Sequence, residues 1–440
     1  MDQIFFRSLF QSAWIKRITC FILLLTLSGC LHANSPQIPV QIPPVNITET
    51  VDAAPASIQV DPSPTFTPVP TLAPSQTPTA LPTATVARRT LTATVWTQDP
   101  WVPVLVYHRF QPLKATQESS TRMRLQNFRQ QLEMLDQAGF TLVSLADWLK
   151  GDLRVLPGKR PLVFTMDDLF FADQIFLNPD GSPSLRSGLG VLWQFSEEHP
   201  DFGFSVALFY SLGDKLYANR QVGDWFEAGE GWEDSLAEAI AWCMEHGAIP
   251  YNHFYTHPRL IQMEPADITR QLRQNEVRLQ ELLDRIGKAD LAAHSDNLIA
   301  LTYSVWPESK GGQKAIMTYR SIYDLPAMGV LEASPYFSPK YLMKPPYDAG
   351  FSPWHIPRFN GNNANVEKII QQLDQFPVAQ ECILQVDLAQ GGSDNLLVGA
   401  IQEAVKDGLC PAGVYAVENL LFRADGKTVT LLELQHPDAR

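Results

Sequence analysis

Two short segments of this 440-residue chain hold residue types that metal-assisted acid–base chemistry needs. Phe164-Thr165-Met166-Asp167-Asp168 ends an apolar run with two adjacent carboxylates. Two anions at a strand tip repel unless a cation sits beside them. His253-Phe254-Tyr255-Thr256-His257 follows another short apolar run, and its i, i+4 spacing can set two imidazoles on one side of a turn. Pro258 pushes His257 towards extended geometry, so a regular helix is not expected there. One carboxylate and two imidazoles form a facial set for a divalent cation with open positions. The second carboxylate is then free to act as general base. Alone, an Asp-Asp pair is an ordinary solvated turn and a spaced His pair is an ordinary surface feature. Together, each at a strand end, they point to a site.

The elements that must position these residues alternate. Strands are expected at 102–107, 140–143, 162–166, 204–209 and 248–251. Helices are expected at 127–137, 145–149, 234–246 and 265–285, the last with Ile268, Leu272, Leu279 and Leu282 inside. Strands alternating with helices mean α/β with a largely parallel sheet or barrel. In such folds chemistry collects at the carboxyl ends of the strands. Residues 174–203 and 211–233 look like loop insertions, the second bringing Trp225, Phe226 and Trp232. Beyond Phe376 the pattern changes to strand, helix and strand, which either completes the main sheet or forms an appendage. Cys382 and Cys410 there are either a disulfide or two buried thiols.

With these motifs in place the chain resembles the polysaccharide deacetylase (NodB-homology) family, carbohydrate esterase family 4. Pro103-Val104-Leu105-Val106-Tyr107-His108 resembles its first strand, Thr165-Met166-Asp167-Asp168 its TFDD motif, and Asn252-His253-Phe254-Tyr255-Thr256-His257-Pro258 its NHTxxHP motif. Leu301-Thr302-Tyr303-Ser304-Val305-Trp306-Pro307 is similar to a degraded third motif, and Ile356-Pro357-Arg358-Phe359 to a later Pro-Arg segment. The resemblance covers roughly 101–359 and implies a deformed (β/α) barrel. It implies metal-dependent removal of acetyl groups from a sugar, with Asp167 as base and Asp168, His253 and His257 holding the metal, zinc being the expected ion. His108, Tyr303 and Trp306 are the expected substrate contacts. Arg358 either orients Asp167 or is a surface cation. The chain departs from the family at Met166, Leu169, Phe254, Thr302 and Ser304, and a side chain at Leu169 is expected to narrow the site or alter its loop. The late Leu-x-His motif that supplies the general acid has no match. His355 is the expected stand-in, while His436 lies in a terminal segment and His108 is a second imidazole able to approach the pocket.

The first hundred residues are of another kind. Arg7, Lys16 and Arg17 precede an apolar run, Ile18 to Leu27, which is too short for a comfortable membrane span. Leu27-Ser28-Gly29-Cys30 resembles a bacterial lipobox, which implies a signal peptide over 1–29, lipidation of Cys30 and a protein anchored outside the cytoplasm. Residues 30–98 are expected to be a disordered Pro/Thr-rich linker, since 12 of the 34 prolines fall there and no apolar face repeats. The deacetylase-like domain is then expected over 99–375 and the tail over 376–440. A net charge of −13 excludes a general nucleic-acid binder. The expected partners are an acetylated polysaccharide and, through the lipid alone, a membrane. The competing reading is a deacetylase-like glycan-binding lipoprotein that has lost its acid.

Overall fold

The computed structural model describes residues 88–111, 119, 121–213, 231–387 and 393–435. The signal segment with Cys30, the linker to residue 87, Trp225, Phe226 and His436 lie outside the described residues. The strands are β1 (Arg88–Trp96), β2 (Val104–Tyr107), β3 (Arg109–Gln111), β4 (Arg122–Arg124), β5 (Phe140–Leu142), β6 (Arg160–Leu169), β7 (Val206–Tyr210), β8 (Ala248–Asn252), β9 (Leu298–Ala300), β10 (Gly329–Ser334), β11 (Ile356–Asn360), β12 (Gln380–Asp387), β13 (Gly413–Val417), β14 (Leu420–Ala424) and β15 (Val429–Leu431). The helices are α1 (Leu125–Gln137), α2 (Leu145–Leu149), α3 (Gly188–Glu198), α4 (Trp232–Glu245), α5 (Pro265–Arg285), α6 (Lys310–Met317), α7 (Asn363–Ile370) and α8 (Ser393–Lys406).

The expected (β/α) barrel is present. Seven parallel strands close on themselves in the order β2, β6, β7, β8, β9, β10, β11, the last pairing with β2 again. β5 adds to the base of β6 outside the ring. Side-chain alternation divides each strand between two cores. Val104, Val163, Ala207, Phe209, Tyr251, Leu298, Ala300, Leu331 and Ile356, drawn from all seven strands, fill the bore. Leu105, Phe164, Val206 and Leu208 point the other way, into the layer shared with the helices. α5 begins with Pro265 in its first turn and buries Ile268, Leu272, Leu279 and Leu282, as the apolar spacing predicts. It also buries Asn275 and Glu276 on that face.

The tail does not complete the barrel. It forms a separate five-stranded antiparallel sheet in the order β12, β1, β13, β14, β15. The linker reading is corrected here, because Arg88–Trp96, placed in the linker, form a strand of the fold, which was expected to start near Trp101. Thr90-Leu91-Thr92-Ala93-Thr94-Val95 alternates with period two and is rich in β-branched residues, a strand signal masked by its Thr content. Ala93 and Val95 pack with Leu397 and Ile401 of α8 and with Tyr415 and Phe422. Trp96 instead joins the bore core, edge-on to Trp148 with ring centroids 6.4 Å apart, and donates its Nε1–H to the Leu153 carbonyl at 3.1 Å. The sheet thus seals the base of the barrel. Of the two alternatives for Cys382 and Cys410, the structure forms the disulfide, tying β12 to the turn beyond α8.

Candidate active site

The two adjacent carboxylates end up with different partners. Asp167 continues the bore-facing parity of Val163 and Thr165, and is 3% exposed. Arg358 of β11, fully buried, holds it in a fork, Nη1 to Oδ1 at 2.6 Å and Nη2 to Oδ2 at 2.8 Å. The same Nη1 also donates to Thr165 Oγ1 at 3.0 Å, and that hydroxyl donates to the Leu105 carbonyl at 3.1 Å. Arg358 is therefore the orienting residue for Asp167 and no surface cation. Burial alone would raise the Asp167 carboxyl, but the charge of Arg358 and its hydrogen bonds outweigh it and hold the group below its ordinary range.

Asp168 is not splayed by simple strand alternation. It takes a left-handed backbone, φ 58°, and the register of β6 against β7 shifts across it. That turn brings Oδ1 to 3.2 Å from His257 Nε2 and 3.5 Å from His253 Nε2. One donor atom from each of the three residues lies within 4.8 Å of the others. His253 Nδ1 lies 2.9 Å from the Ala300 carbonyl, so in the neutral ring it carries the proton and Nε2 presents a lone pair to Asp168. Asp168 Oδ1 is buried and lacks an aligned hydrogen bond. Lone pairs facing each other across so short a gap repel unless a cation lies between them, so the donor set fits a divalent metal.

His257 also differs from expectation, with φ 48° instead of extended backbone before Pro258. Its ring packs on Tyr303, centroids 4.6 Å apart, and Tyr303 is itself left-handed at φ 57° and 53% exposed. Asp168, Phe254, His257, Tyr303 and Ser304 are five of the seven non-glycine residues with positive φ among the described residues. Such clustering of costly backbone marks a site whose geometry the surrounding packing enforces.

His108 directly follows β2, whose Tyr107 pairs with Met166 of β6, so it stands at the same strand tips as Asp167. Its Nδ1 is buried with no hydrogen-bond partner among the described residues. Gln174, fully buried, donates Nε2 to the carbonyls of His108 at 2.6 Å and Asp167 at 2.8 Å, and accepts the Phe171 N–H at 2.8 Å. It clamps the tips of β2 and β6 together. Nothing in the sequence singled it out, because its loop has no periodicity.

Two expected site residues are placed elsewhere. His355 precedes β11, and its Nδ1 lies 2.8 Å from Glu332 Oε1. Glu332 has the parity opposite to bore-facing Leu331, so this pair lies on the outer side of the sheet. His355 is therefore not the missing acid. Trp306 is corrected in the same way: its indole N–H donates to the same Glu332 carboxylate and its ring lies 5.4 Å from that of His355. The left-handed turn at Tyr303 and Ser304 sends the chain outward before Trp306 is reached. Leu169, expected to narrow the site or alter its loop, and Phe254, a departure from the family motif, are fully buried in the cores around the site. Tyr303 alone of the two expected aromatic contacts stands beside the ligands.

No family model and no curated sequence matches the chain. Among solved structures it is similar to a Streptococcus pyogenes deacetylase in complex with acetate, at 14% identity and a TM-score of 0.42 over 63% of this chain and 99% of that one. It is similar to a polysaccharide deacetylase from Bacillus cereus, at 14% identity and a TM-score of 0.41 over 62% of this chain and 69% of that one. A de-N-acetylase from Aggregatibacter actinomycetemcomitans matches at 9% identity and a TM-score of 0.39, over 61% of this chain and 99% of that one.

Proposed function

We propose that this chain hydrolyses acetyl groups, N-acetyl groups above all, from an extracytoplasmic polysaccharide with the help of a divalent metal, zinc being the ion that best suits the ligands. The observation that supports it is the facing set of Asp168, His253 and His257 next to a carboxylate, Asp167, already locked and ionised on Arg358. A cation held by the three ligands would polarise an acetyl carbonyl and acidify water. Asp167, ionised and aimed into the site, takes the proton of the attacking water as that oxygen bonds to the carbonyl carbon. The C–N bond then breaks, acetate leaves, and the amine takes up a proton. His108 is the group we assign to deliver it, since it stands at the β2 tip that Gln174 ties to Asp167 and its Nδ1 has no hydrogen-bond partner among the described residues. Tyr303 offers an exposed ring face to the sugar.

The test is metal content together with acetate release from a panel of acetylated glycans. Wild type should contain about one metal ion per chain and release acetate from at least one glycan. Asp168→Asn, His253→Ala and His257→Ala should each lose most of the metal. His108→Ala should keep it and slow acetate release by roughly 10²–10⁴-fold. A folded wild type that binds no divalent metal would overturn the reading. Metal binding and glycan affinity without acetate release would leave the glycan-binding alternative.

The location is part of the same proposal. The lipobox-like Leu27-Ser28-Gly29-Cys30 supports lipidation of Cys30, and the Cys382–Cys410 disulfide suits an oxidising compartment outside the cytoplasm. Cys30→Ala should shift the protein from the membrane fraction to the soluble one, or stall its maturation. Unchanged fractionation and migration would refute the anchor.

A further inference from the structure

α5 carries two polar residues on the face that packs against the barrel. Asn275 is fully buried and uses its whole side chain. Its Nδ2 donates to the Tyr210 carbonyl at 2.6 Å and to Asn252 Oδ1 at 3.0 Å, and its Oδ1 accepts the Leu212 N–H at 2.9 Å. Asn252 directly precedes His253. Its Oδ1 accepts the Phe254 N–H at 3.0 Å, and its Nδ2 donates to the Leu272 carbonyl at 2.9 Å and to Glu276 Oε1 at 3.2 Å. Glu276 Oε2 in turn accepts the Tyr319 hydroxyl and the Ile322 N–H, both at 2.9 Å.

The network closes on His253 from both sides. The Tyr210 carbonyl that takes the Asn275 donor also accepts the His253 N–H at 3.0 Å. Ser211 Oγ donates to the His253 carbonyl at 2.8 Å. Asn252 Oδ1 accepts the N–H of Phe254, the residue whose own φ is 61°, within the turn that runs from His253 to His257. A left-handed phenylalanine is costly, and an isolated asparagine side chain would not hold it. Asn275 and Glu276 hold that asparagine in one orientation by engaging its oxygen and its nitrogen.

We infer that Asn275 and Glu276, working through Asn252, are positioning residues that set the distance between the two imidazole ligands. The inference rests on the metal-site reading above. A second shell of this kind tunes metal affinity without touching the ion, and its removal typically weakens binding roughly 10–100-fold.

The experiment measures zinc dissociation constants by chelator competition on the full mature chain, alongside thermal unfolding. Asn275→Asp keeps the acceptor for Leu212 but loses both donated bonds. It and Asn275→Ala should weaken zinc binding roughly 10–100-fold at temperatures where the protein is fully folded. Tyr319→Phe, at the far end, removes a single hydroxyl that grips Glu276 and should weaken zinc in the same direction by less. It decides the matter if the Asn275 variants do not fold. Lower melting temperatures with the wild-type zinc constant would mean that the network serves the fold alone, and the inference would be wrong. Wild type that binds no zinc or other divalent metal would defeat the metal-site reading itself, a distinct result.

Discussion

Asp167→Asn should keep its metal and release acetate roughly 10²–10⁴-fold more slowly than wild type. The metal should stay because the ligand atoms belong to Asp168, His253 and His257, and Asp167 Oδ2 stands 3.9 Å from His253 Nε2. Activity should fall because an amide cannot accept the proton of the attacking water. From sequence alone this swap of near-isosteric groups is expected to leave folding intact. The structure adds a cost. Arg358 is fully buried and both its terminal nitrogens bond to Asp167, so the amide leaves a guanidinium without its anion. Breaking a buried pair from one side costs about 3–5 kcal/mol, whereas removing both charges is often close to neutral. Asp167→Asn should therefore melt well below wild type, and Asp167→Asn/Arg358→Met should recover much of the loss without recovering activity. Because the folded Asp167 carboxyl lies below its ordinary range, the pair's stabilisation is present above that range and lost as pH falls through the lowered value. Asp167→Asn should lack that acid limb. Equal acetate release by Asp167→Asn and wild type would remove Asp167 from the chemistry.

A chain that begins at Gln98 should lose its C-terminal sheet, whereas one that begins at Arg88 should melt like the full mature protein. β1 lies between β12 and β13, and β12 has no other strand neighbour among the described residues. Deleting β1 strips both strands of hydrogen-bond partners and opens the core around Ala93, Val95 and Tyr415. It also removes Trp96 from the base of the barrel, and deletion of a buried Trp side chain alone typically costs about 3–5 kcal/mol. The measurement is thermal unfolding of the two truncations, with near-ultraviolet circular dichroism reporting the Trp96–Trp148 contact. Superimposable curves would show that β1 is dispensable. Trp96→Ala in the full chain should reproduce part of the loss.

The local order of residues was enough to expect much of the site. Asp167-Asp168 and His253…His257 each lie within five residues at the end of an apolar strand, and such short patterns survive without knowledge of the fold. The inward face of α5 was legible for the same reason, but Asn275 and Glu276, which share that face, were not singled out, since only the packed barrel shows what they bond. Arg358 could only be offered as one of two alternatives, because its carboxylate partner lies 191 residues away and meets it only when the barrel closes. β1 was hidden in the same way, since its partners lie near the other end of the chain and its composition is that of the linker before it. His355 and Arg358 show what spacing cannot decide. They are three residues apart, yet one faces Glu332 outside the sheet and the other Asp167 in the bore. Alternation fixes that neighbouring strand residues point to opposite sides, but which side becomes the interior is set by closure of seven strands into a ring.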